Sequence, residues 1–138
     1  MTGNRLLRIP VHSAGLLLAL AFASPQTASA QTPDEMMCDM ASQVAAQSNA
    51  VGPIPIDTDT TQERVDVNCE TKTILTHLSR KDTAASQPAG WQEMWQQKLS
   101  MVYCSDPATR EVIAAGWTLA ESTTFADGVV FEIKAVCE

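Results

Sequence analysis

Four cysteines limit what this chain can fold into more than any other feature. Cys38, Cys69, Cys104 and Cys137 all lie beyond the first thirty residues. In a short exported chain, an even cysteine count reads as a disulfide framework, which dictates which elements can lie side by side. The N-terminus supplies the export signature. Arg5 and Arg8 precede the apolar run AGLLLALAFA at residues 14–23, and ASPQTASA closes on Ala-Ser-Ala at 28–30. Basic, apolar and small residues in that order form a secretory signal peptide. The apolar run is far shorter than the roughly 20 residues of a membrane span. The expectation is therefore a signal peptide over 1–30, a single domain over 31–138, and no stable membrane anchor after cleavage. Cys38 stands too far past Ala30 to be a lipidated cysteine at the cleavage point.

Charge narrows the partners. The net charge is -7, and it becomes more negative once Arg5 and Arg8 are removed. An acidic surface offers phosphate backbones and anionic lipids no attraction, so nucleic acid is not expected as a partner. The cysteine spacings are wide and contain no CxxC, and His77 is the only histidine beyond residue 30. Disulfides are expected in place of zinc, with no metal and no cofactor.

Periodicity gives the elements. Thr32 or Asp34 caps a first helix whose stripe Met37, Met40, Ala41, Val44 repeats at steps of three and four, running to about Ser48 before Gly52-Pro53. Pro53 and Pro55 restrict 53–57 to at most an edge strand. Residues 64–70 and 72–79 alternate as two strands of a hairpin turning near Glu70-Thr71, and 80–90 reads as a loop or flexible connection. WQEMWQQKLSMVYC, from residue 91, puts Trp91, Met94, Trp95, Leu99 and Val102 on one helical face. Ser105 or Asp106, Pro107 and Gly116 bracket a further helix of three turns at most. Asp127-Gly128 joins two alternating runs as a hairpin, with Trp117, Leu119 and Glu121 sharing one phase of the first. The expected fold class is α+β: a small, mostly antiparallel sheet of four or five strands with about three helices packed on one face, stapled by disulfides.

Four cysteines allow three pairings, which sequence alone leaves open. Element positions favour Cys38–Cys69, first helix to first hairpin, and Cys104–Cys137, second helix to last strand. Cysteines so paired offer no thiolate, and His77, the sole candidate base, sits mid-strand, so no catalytic residue is expected. Asp57-Thr58-Asp59 lacks the remainder of a calcium loop and reads as a solvated turn. Trp91 and Trp95, one turn apart, have two readings: anchors of the helix on the sheet, or part of a partner-binding groove.

The segments YCSDPATREVIAAGWTL and FADGVVFEIKAVC, through Cys104, Pro107, Arg110, Gly116, Asp127, Gly128 and Cys137, resemble the small exported proteins called quorum-sensing-regulated virulence factors. The resemblance implies a compact α/β domain similar to the α/β class of type II secretion pilotins, which bind a helical tail of an outer-membrane secretin. It implies no catalytic residues. The lack of a lipidation cysteine departs from those pilotins. The expected role is a soluble periplasmic or secreted protein-interaction module without catalytic activity, binding an unidentified peptide or protein segment through Trp91 and Trp95. The alternative is a small secreted hydrolase or enzyme inhibitor.

Overall fold

A computed structural model describes residues 29–138. The signal-peptide reading falls mainly on residues 1–28, outside the described residues. Gln31–Glu138 form one compact unit. Its elements are α1 (Pro33–Val51), β1 (Ile54–Pro55), β2 (Thr60–Asn68), β3 (Thr73–Arg80), a 3-10 turn (Ala84–Ser86), α2 (Trp91–Ser105), α3 (Pro107–Ala114), β4 (Thr118–Thr124) and β5 (Val130–Lys134). The five strands lie in sequence order in one open sheet. All neighbours pair antiparallel except β3 and β4, which run parallel from Thr73↔Thr118 to Ser79↔Thr124. A parallel pair needs a long crossover, and here α2 and α3 provide it.

Local chemistry sets the boundaries. Thr32 and Glu35 form a reciprocal capping box, with Pro33 in the first turn, and Gly52 at φ 87° stops the helix. The β2–β3 turn has neither Gly nor Asn-Gly. Lys72 takes the left-handed conformation at φ 50°, and the Thr71 N–H donates to Asn68 Oδ1. Lys72 Nζ also reaches Asp34 at 2.7 Å, bringing the hairpin tip to the start of α1. Asp106 ends α2 and caps α3 by accepting from the Thr109 N–H at 2.9 Å. The third helix covers only Pro107–Ala114, shorter than three turns, because Ala115 and Gly116 already leave the helix.

Register defines the two faces. A bulge at Glu63 shifts β2 between Gln62↔Leu78 and Arg64↔His77. Thr60, Gln62, Val65 and Val67 therefore share a face with Ile74, Thr76, Leu78 and Arg80 of β3 and with Leu119, Glu121 and Thr123 of β4. Phe131 and Ile133 of β5 complete it. This is the face that α1 and α2 cover. On the opposite face β3 and β4 carry mainly small and hydroxyl-bearing side chains, among them Thr73, Ser79, Thr118, Ala120, Ser122 and Thr124, while β2 and β5 add the charged Arg64, Asp66, Glu132 and Lys134.

Each covering helix is fixed near one side of the sheet. Asn49 of α1 reads both backbone groups of Val65 at 2.8 Å, and Gln62 Nε2 donates to Ser48 Oγ. On the far side, Gln96 Nε2 of α2 donates to the Lys134 carbonyl and the Val136 N–H donates to Ser100 Oγ. Those bonds occupy part of the free edge of β5, which would otherwise be open to pairing. The core is small: Ala41 and Ala45 of α1, Leu99 of α2, and Trp117, Leu119, Phe125, Ile133 and Ala135 of the sheet and its flanks are buried. Two expected stripes are corrected here. Met40 and Val44 of α1 are 57% and 61% exposed, because the helix sits down on its small residues Ala41 and Ala45. Met94 and Val102 of α2 are likewise exposed, and Leu99, Trp91 and Trp95 carry the contact.

The 80–90 segment is a loop tied in place. The Ala84 N–H donates to Asp127 Oδ2, the Ala126 N–H to the Asp82 carbonyl, and Gln87 Nε2 to Asp82 Oδ2.

Both disulfides take the favoured pairing, Cys38–Cys69 and Cys104–Cys137, with Cα separations of 5.6 and 5.5 Å. The bridged residues are 31 and 33 positions apart. Closing a loop of that size in the unfolded chain contributes about 3–4 kcal/mol in the chain-entropy model. Replacing Cys104 and Cys137 together by serine is expected to lower the unfolding free energy by roughly that amount, a large share of the total for a domain this small. Urea denaturation of the oxidised proteins measures it, and Cys38/Cys69→Ser should cost a comparable amount.

Candidate functional site

The two helices cover the flanks of the sheet and leave its middle open. Ala41 and Ala45 point down at β2, and Asn49 grips the outer edge of that strand. Helical steps of about 100° then place Met40 and Val44 on the other flank of α1, toward α2. Between the helices Ile74, Thr76 and Leu78 of β3 are only half-buried, although they lie on the covered face. The result is a trough with an apolar floor. Exposed Met40 and Val44 stand on one side and Val102, 55% exposed, on the other.

The trough deepens into a cavity of about 340 Å³ where β1 approaches α2. Ile56, Thr60, Leu78 and Arg80 line it from the sheet's first half; Trp95, Lys98, Leu99, Val102 and Tyr103 line it from α2; Glu121, Thr123 and Ile133 form the rest. Apolar walls with a few placed polar groups are the usual composition of a ligand-binding cleft.

The polar groups are of two kinds. Arg80 is paired within the fold. It makes a two-pronged pair with Asp82 at 2.7 and 2.6 Å, donates to Thr60 Oγ1 at 2.8 Å, and lies 5.2 Å from the centre of the Trp95 ring. Hydrogen bonds from Arg80 hold the Asp82 carboxyl down at about 2. Glu121 is different. Burial pushes its carboxyl above the usual glutamate range, against the opposing pull of the Tyr103 hydroxyl and of Lys98. Burial, with the Glu121 charge beside it, raises the Tyr103 phenol. Among the described residues no cation lies within ion-pair distance of Glu121.

The expected site residues divide. Trp91 belongs to an aromatic cluster, edge-on to Phe125 at 5.2 Å and to Phe131 at 4.7 Å, and does not line the cavity. It anchors α2 to the last hairpin. Trp95 stacks on Phe125 at 5.7 Å and lines the cavity as well. All four cysteines are bridged and no described cysteine is free. His77 lies on the opposite face, its Nε2 2.8 Å from Asp66 Oδ2. Asp57 Oδ1 accepts from the N–H groups of Asp59 and Thr60, which makes 57–60 a hydrogen-bonded turn. Among the described residues no cluster of three or more His, Cys, Asp or Glu could hold a metal. Sequence reasoning did not single out Arg80, Tyr103 or Glu121. A usable signal existed for the last: a carboxylate on the same strand phase as Trp117 and Leu119.

No protein-family model matches the chain, and no curated protein matches it at a significant level. Two solved structures share the fold. One is a protein of Pseudomonas aeruginosa described as secreted, 20% identical, with a TM-score of 0.59 over 75% of this chain and 93% of that one. The other is the pilotin of the Vibrio vulnificus type 2 secretion system, 19% identical, with a TM-score of 0.52 over 74% of this chain and 91% of that one. The fold is pilotin-like. No helix among the described residues is long and apolar enough to cross a membrane.

The Glu121 environment has a sign that can be measured. A carboxyl raised in the folded state keeps its proton to higher pH than in the unfolded chain, so stability falls as pH rises from the usual glutamate range through the folded value. Glu121→Gln is therefore expected to be more stable than the parent at neutral pH, by up to about 1 kcal/mol, with the difference closing below about pH 4. Asp82 acts in the opposite sense: its contribution is present above the usual aspartate range and is lost as pH falls toward about 2. Thermal melts of both proteins across that range read the difference directly.

Proposed function

We propose that this chain is an exported, non-catalytic binding module whose trough takes an apolar segment of a protein partner. One observation carries the reading: the incompletely buried row Ile74, Thr76 and Leu78 of β3 lies between two helices that disulfides and side-chain hydrogen bonds hold apart. A one-sided sheet normally buries such a strand, and an uncovered apolar channel is the form that helix-in-groove recognition takes. The fold likeness to a secretion pilotin supports it. So does the resemblance to the virulence-factor family at Cys104, Pro107, Arg110, Gly116 and the Asp127-Gly128 hairpin, and membership of that family is part of the proposal. The export signature and the paired cysteines favour the periplasm or the extracellular space. A lipid-anchored escort role is not included, because no cysteine stands at the expected cleavage point.

The absence of catalysis is likewise proposed. His77, the one histidine of the domain, sits on the other face with Nε2 engaged by Asp66, and the sulfurs are all in disulfides. Substrate turnover that disappears in His77→Ala would favour the hydrolase reading instead.

The test uses a synthetic amphipathic peptide of leucine, alanine and glutamine, titrated while side-chain methyl NMR signals are followed. Signals of Leu78, Leu99, Val102 and Ile133 are expected to shift. Val102→Glu should weaken binding roughly tenfold while barely changing the melting temperature, since Val102 is largely exposed. Shifts confined to the His77 face, or binding indifferent to Val102→Glu, would contradict the reading.

A further inference from the structure

The trough contains one acidic charge that the fold leaves without an opposite partner. Glu121 projects from the middle of β4 onto the covered face and lines the cavity beside Leu99, Val102 and Ile133. A half-buried carboxylate in apolar surroundings is unfavourable unless something compensates it. Two cations line the same cavity, and neither pairs with it. Arg80 is committed to Asp82 and Thr60. Lys98 is exposed on α2 and acts on Glu121 only at longer range. Tyr103 presents a hydroxyl, which can orient the carboxylate but brings no charge. Asp82, the acidic group nearest in the loop, is already satisfied by Arg80 and Gln87.

We propose that Glu121 selects what the trough accepts: an apolar protein segment carrying one lysine or arginine on its inward side, whose cation meets Glu121 on the floor. The inference rests on the trough being a binding site, as proposed above. Charge complementarity commits it to this occupant. A ligand acid at that position would face Glu121 in a low-dielectric setting, where like charges cost most. A ligand cation would gain a charge-assisted bond there. The overall acidity of the protein adds long-range attraction for a basic segment.

The experiment compares three synthetic leucine–alanine helical peptides that differ only in one inward residue: lysine, glutamine or glutamate. Binding is followed by the fluorescence of Trp95, with Trp91 and Trp117 as constant background. The lysine peptide is expected to bind roughly tenfold tighter than the glutamine peptide, and the glutamate peptide weakest. Glu121→Gln, which should fold at least as well as the parent, is expected to abolish the lysine preference. Glu121→Lys should turn the preference toward the glutamate peptide. If all three peptides bind the parent equally, or the lysine preference survives in Glu121→Gln, Glu121 is not the selector while the trough stands as a binding site. If none of the three binds, the trough reading itself fails and takes this inference with it.

Discussion

Everything in this fold follows from where the two disulfides hold the helices. Cys38–Cys69 fixes α1 to the far end of β2, and Cys104–Cys137 fixes the end of α2 to the chain leaving β5. Each lies toward an outer part of the sheet. Side-chain bonds repeat the same placement: Asn49 to the outer backbone of β2, Gln96 and Ser100 to the outer backbone around β5. Helices held over β2 and β5 stand three strand spacings apart, about 14 Å, wider than the roughly 8–10 Å between packed helix axes, so they do not close over the central strand. The half-buried row Ile74, Thr76, Leu78 is the direct consequence.

A core of this size would be marginal without such links. Few large side chains are buried, and α1 contributes only alanines to the inventory of buried residues. The crosslinks lower the entropy of the unfolded chain and so stand in for apolar area that the middle of the sheet does not bury. What would be a packing deficit in a free-standing domain is, under the proposed function, the place where a partner segment docks. The same reasoning applies to Glu121: a carboxylate that lowers stability in the unliganded protein is explained if its partner arrives with a ligand.

The sequence made the outline legible where the signal was local. The capping residues of α1 and α3 and the Asp127-Gly128 hairpin each depend on a few adjacent residues, and the structure follows them. Signals that depend on tertiary packing were not legible. The α1 stripe pointed to Met40 and Val44, but docking on Ala41 and Ala45 rotated both toward the trough. The parallel pairing of β3 with β4 has no local signature, because it arises from the length of the α2–α3 crossover. The bulge at Glu63, which brings Val65 into phase with Thr60, is equally silent in the alternation. Of the candidate site, Trp95 could be named in advance because its helical face was clear. Arg80 could not, since its significance depends on strands distant in sequence coming together, and Glu121 carried only the hint of a carboxylate in phase with Trp117 and Leu119.

Disulfide mapping of the purified, unreduced protein tests this architecture most directly. Digestion between the cysteines and mass spectrometry should recover two linked peptide pairs, one containing Cys38 with Cys69 and the other Cys104 with Cys137, with no free thiol. A peptide linking Cys38 to Cys104 or Cys137, or four alkylatable thiols in a protein that remains folded, would contradict it.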